Sequence, residues 1–161
     1  MPDLQSFGGS LSLACGIIAI VRRKRAVGGW LFYFFCQVLI GLALVAVSTT
    51  WSNYLPREWN DPARYFLFAL SSLSRTAMLA AIAAIGILLV ETRDAQWITG
   101  LQYALATYAF LTILKLPVDI YCFPGATARD TVSLGFPIVW MAYFSVSQRV
   151  RKVFREKSWR G

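Results

Sequence analysis

The chain has 161 residues, of which 57% are apolar and only 15% charged, and its formal net charge is +8. Soluble domains are about half apolar and a quarter charged, so this composition points to lipid rather than water as the solvent, and to a single domain spanning residues 1–161. The absence of histidine excludes His-ligated haem, His-based zinc sites, and Ser-His or Cys-His nucleophile pairs.

The first apolar run, residues 7–21, ends at Arg22-Arg23-Lys24-Arg25. Residues 1–6 carry no Lys or Arg, so the basic start of a signal peptide is missing. Fifteen helical residues reach ~22 Å, short of a ~30 Å hydrocarbon core. The run reads as a short membrane-embedded helix, either a fifth span or a helix lying at the interface.

Four longer runs follow, predicted as spans at about 31–50, 65–90, 97–121 and 131–147. The predicted class is therefore an all-α membrane bundle with four long transmembrane helices plus the short N-terminal one. Gly28-Gly29-Trp30 opens the first span, with the indole suited to the headgroup level. Trp51, Tyr54, Pro56, Trp59 and Pro62 mark an interfacial connection before the second span. Glu91-Thr92-Arg93-Asp94 stops that span, and Trp97 opens the third. Pro and Gly after Cys122 mark a turn. Pro137 falls inside the fourth span and is predicted to kink it.

Lys/Arg bias sets the orientation. Residues 22–25, the 91–96 turn and the tail together hold eleven of the sixteen basic residues. That side is predicted to be cytoplasmic, with the C-terminus there. In the tail, Val150, Val153 and Phe154 share one helical face, and Arg149, Arg151, Lys152 and Arg155 mostly point elsewhere. Together with Arg22, Arg23, Lys24 and Arg25, these are the expected contacts for anionic headgroups or a partner. Basic residues placed beside apolar spans favour lipid over nucleic acid, and no nucleic-acid partner is expected.

Arg75 needs an explanation, because an Arg near mid-bilayer costs ~2.5–3.5 kcal/mol on insertion scales. Asp119 is the expected partner across antiparallel spans. Lys115, four residues before it, competes, although Pro117 intervenes and Lys before Asp is the weaker order. The expectation is a buried or half-buried Arg75–Lys115–Asp119 cluster facing the bundle interior. It serves as a pin between helices or as a ligand or ion site, unless Arg75 instead snorkels to the headgroups. Ala77, Ala80, Ala81 and Ala84, with Gly86 nearby, form a small-residue face predicted to pack inside the bundle. Ser71, Ser72, Ser74 and Thr76 can bond across helices or to preceding carbonyls.

Cys15, Cys36 and Cys122 are far apart and lack CxxC spacing, so no metal site is expected; Cys15 and Cys36 are read as small buried residues, and Cys122 sits at a span end without an obvious disulfide partner. There is no phosphate loop, zincin motif or catalytic carboxylate pair, and neither enzymatic activity nor a cofactor is expected. Gly28-Gly29-Trp30-Leu31 at the start of the first span, with Trp140, Tyr143-Phe144, Ser147, Arg149-Val150 and Phe154 at the end, resembles a bacterial inner-membrane family of unknown function. The resemblance covers about residues 26–155, leaves the run before Arg22 outside, and implies a multi-span membrane fold without adding site residues. The expected role is an accessory or scaffold subunit of a larger membrane complex. The alternative is a small transporter or lipid- or ligand-binding protein working through the Arg75/Asp119 cluster, and a membrane enzyme using Asp119 or Tyr121 is a third class.

Overall fold

A computed structural model describes residues 2–21, 29–52, 60–122 and 134–156, with side-chain surroundings for 10–21, 29–43, 60–122 and 134–156. All regular structure among the described residues is helical. In chain order the helices are α1 (Pro2–Val21), α2 (Trp30–Ser52), α3 (Pro62–Thr92), α4 (Gln96–Cys122) and α5 (Gly135–Val146), followed by a helical tail from Gln148 to Arg155. Helices α3 and α4 are long and apolar enough to cross a membrane. Ser10–Val21, Trp30–Ala43 and Gly135–Val146 are shorter apolar helices. Arg22, Arg23, Lys24, Arg25 and the Tyr54–Trp59 stretch lie outside the described residues.

Helix ends follow local chemistry. Asp61 has extended backbone, and its carboxylate accepts from the Ala63 N–H at 2.9 Å. Pro62 takes the first helical position, where its missing N–H costs nothing. This cap starts α3 three residues before Tyr65. Arg93 ends it in the left-handed conformation (φ 51°, ψ 34°), donating its N–H to the Leu89 carbonyl. One residue later the Asp94 carboxylate accepts from the Gln96 N–H at 3.1 Å and opens α4. This short turn makes α3 and α4 an antiparallel hairpin.

Three expectations change. Helix α1 is 20 residues long, starting five residues earlier than the apolar run, so it reaches ~30 Å rather than ~22 Å. Pro137 does not kink α5, because the helix begins at Gly135 and the proline lies in the first turn, where N–H groups have no intrahelical partner anyway. The interior proline is Pro117, and α4 runs past it to Cys122. The alanine face does not pack inside. Ala77, Ala80 and Ala84 are exposed and Ala81 is half-buried. The larger Leu79, Ile82 and Leu89 define the inner face together with Gly86.

Helix α2 packs on α3, α3 on α4 and α4 on α5. Aromatic contacts join α5 back to α2. The Phe34 ring meets Trp140 at 4.9 Å, Phe144 at 5.0 Å and Phe136 at 6.2 Å. The Trp140 indole donates to Gln37 Oε1 at 3.1 Å. A ring of four helices results, with α1 laid outside against α2. The core lies at the end of the ring near Leu31, Leu89, Ile98 and Phe144.

The tail closes that same end. Ser147 leaves the helix (φ −64°, ψ 115°), and its hydroxyl accepts from the Val150 N–H. A helical turn and a π-helical turn, Arg151–Arg155, then carry Val150, Val153 and Phe154 into the core. The apolar face expected from the sequence is therefore covered by the bundle, and Arg151, Lys152 and Arg155 are left exposed.

Candidate functional site

Two places bring polar side chains together. The first lies between the beginning of α3 and the end of α4. Lys115 forms an ion pair with Asp119 one turn along α4. Both are largely shielded, with side-chain exposures of 12% and 4%. The ammonium lies 5.5 Å from the Phe68 ring centroid on α3, and a cation facing an aromatic face gains from the ring quadrupole. Arg75 sits seven residues beyond Phe68, about 10 Å along the helix axis, with its guanidinium 5.7 Å from the Tyr108 ring. Thr112, fully buried, donates to the Tyr108 carbonyl at 2.8 Å.

Arg64, not singled out from the sequence, finishes this end. It donates to the Tyr121 carbonyl at 2.6 Å and lies 4.4 Å over the Tyr121 ring. A cation at the last carbonyls of a helix is favoured by the unpaired acceptors and the dipole there. Of the hydroxyl residues on α3, Ser71, Ser74 and Thr76 bond to the carbonyls of Phe68, Leu70 and Ser72.

The second place is a groove of about 720 Å³ between α1, the start of α2 and the end of α5. Leu13, Ile17, Ile20 and Trp30 line it as apolar walls, and Tyr143, Ser147 and Arg149 supply its polar groups. Hydrogen bonds fix α1 on α2. The Ser12 and Tyr33 hydroxyls are 3.0 Å apart, and Gly29 N–H donates to the Ala19 carbonyl at 3.1 Å. Gly29 does so with φ 59°, a conformation that glycine adopts at little cost. The Tyr143 hydroxyl is shielded from solvent and lies beside the Ser147 side chain.

Of the predicted contact residues, Arg149 is half-buried in this groove. Tyr143, Ser12 and Gln37 are polar groups that sequence reasoning did not select. Their only signal is a hydroxyl or amide within an apolar run. Among the described residues no three His, Cys, Asp or Glu side chains come together as metal donors.

Fold and site define an all-helical protein with two helices able to span a membrane and charged groups held between them. Residues 24–155 match the family described as protein of unknown function (DUF2569), and the chain belongs to that family. The match starts after α1 and ends with the tail turn. No curated protein and no solved structure matches the chain.

Proposed function

We propose that this is a multi-pass protein of the bacterial cytoplasmic membrane, with its C-terminus cytoplasmic, acting as a non-catalytic accessory or scaffold subunit of a larger membrane complex. One surface carries the reading. Phe66, Leu70, Leu73, Ala77, Ala80, Ala84 and Ile87 recur at alternating spacings of four and three residues along α3, and all are exposed. That period is the seam of a left-handed helix pair. Small residues at its centre let a second backbone approach closely, which is how helices associate in lipid without a hydrophobic driving force. A surface meant for acyl chains alone has no use for such a recess.

Native mass spectrometry after gentle extraction tests the proposal. A stoichiometric complex with a different membrane protein is expected, and Ala80→Leu should release that partner while leaving the subunit folded. A monomer or a homo-oligomer overturns it. The second reading, a small transporter or ligand-binding protein, draws on the polar cluster between α3 and α4. There Lys115 pairs with Asp119, and Arg64 and Arg75 lie over Tyr121 and Tyr108. Loss of transport or binding in Arg75→Gln would separate that reading from the first.

A further inference from the structure

Helix α1 meets α2 through one narrow face. From Ser10 to Val21, only Ser12, Cys15, Gly16 and Ala19 are shielded, and they share one side of the helix. On α2 and the residue before it, Gly29, Tyr33 and Cys36 recur at spacings of four and three. The two helices run antiparallel, since Gly29 bonds to Ala19 and Tyr33 reaches Ser12 further along. Gly16 lies against the Tyr33 ring, which stands 3.8 Å from where a Cβ would be. The same register brings Cys36 beside Cys15, where the two side chains hydrogen-bond. Both are thiols, and both are half-buried. Packing alone does not ask for sulfur here, because serine, glycine and alanine fill the rest of the α1 face. A disulfide needs its Cα atoms within about 7 Å, and small residues are what let two helix backbones come that close.

We propose that Cys15 and Cys36 form a disulfide joining α1 to α2, with a lipid-soluble quinone as the electron acceptor. Two S–H bonds break and one S–S bond forms. The two electrons and two protons pass to the quinone, which leaves as quinol. Depth selects that oxidant. Cys15 lies six residues before the end of α1 at Val21, and Cys36 six residues after the start of α2 at Trp30, about 9 Å of helix in each case. In the membrane placement proposed above, both sulfurs therefore lie at one level below the headgroups, with the Trp30 indole over them. A charged oxidant such as oxidised glutathione would have to shed its hydration to reach them, whereas a quinone dissolves there. Helix α1 lies outside the ring of four and before the residues that match the family, so the disulfide fixes this added helix to the shared fold.

The inference rests on the membrane placement and not on the partner, so Ala80→Leu should leave it intact. The test takes the reduced full chain in lipid nanodiscs and exposes it to a fully substituted short-chain quinone. Such a ring has no free position for a thiol to add to. The protein is then unfolded in the presence of a maleimide, and its intact mass and peptides are measured. One labelled cysteine, Cys122, is expected instead of three, with one peptide pair linked through Cys15 and Cys36 and one quinol formed per link. The oxidised protein should unfold several degrees above the reduced one. Cys122→Ser should form the same link, and Cys36→Ser should form none and lose the shift in unfolding. Oxidised glutathione should act at least tenfold more slowly than the quinone. Three labelled cysteines after quinone treatment overturn the proposal. So does a link to Cys122 or to a second copy, and so does oxidation by glutathione disulfide at the quinone's rate, which would place the pair within reach of water.

Discussion

Around Phe34 the helices meet ring against ring, whereas around Asp119 they meet cation against ring. The first region joins α2, α5 and the tail through Phe34, Trp140, Phe144 and Phe154, each nearly or fully buried. Its contacts are dispersive and shared among many atoms, so a swap that conserves volume should cost little there. The second region joins only α3 and α4, and each cation has a specified place: Lys115 with Asp119 and Phe68, Arg75 with Tyr108, Arg64 with Tyr121. Charges out of water tolerate few alternative partners. The aromatic region thus supplies cohesion, and the charged region sets which faces of α3 and α4 meet.

Three substitutions sharpen that contrast. Phe34→Ala empties a fully buried site against three rings of α5. It should cost about 3–5 kcal/mol, read as a lower unfolding midpoint in detergent, and Phe34→Leu should recover most of the loss. Asp119→Asn leaves Lys115 shielded without its carboxylate, and should cost about 3 kcal/mol. The double variant Lys115→Met with Asp119→Leu should melt near the unmodified protein. A normal midpoint for Asp119→Asn alone would remove the idea that the pair pins the hairpin. Gly86→Ala is the mildest of the three. A Cβ there would stand 2.6 Å from Phe35 Cε1, so α2 and α3 must part or the ring must turn, at about 1–3 kcal/mol. Combining it with Phe35→Leu should restore the midpoint. If it does not, the strain lies in the α3 backbone rather than in the α2–α3 contact.

The helical class was legible because apolar runs of this length have few other solutions. The end of α3 was legible in Glu91-Thr92-Arg93-Asp94, whereas its start at the Asp61-Pro62 cap was read as part of the connection. Facing was not. Leu and Ala are equally at home in lipid and in a packed bundle, so hydropathy could not tell that Leu79 and Ile82 point inward and Ala77 and Ala80 outward. The stripe Val150, Val153, Phe154 reads the same whether lipid or protein covers it, and here protein does. The order of Lys115 and Asp119 argued for a weak pair by a rule learned on water-exposed helices. Burial changes the balance, because a shielded carboxylate has few other donors to choose from. Gln37 depends on a neighbour far along the chain, since it meets Trp140 across 103 positions. Spacing within one run carries no trace of such a contact.

The left-handed residue between α3 and α4 also bears on how the chain is made. Because Arg93 reverses the chain within a few residues, the most extensive interface of the fold is also its most local one, and local contacts form early. Synthesis delivers α3 and then α4, so the membrane-spanning form proposed above would enter the bilayer with these two as one hairpin. Arg75 would then reach Tyr108, and Lys115 would reach Asp119 and Phe68, during insertion itself. No lone helix need carry an uncompensated charge across, and α5 and the tail arrive afterwards to complete the aromatic end.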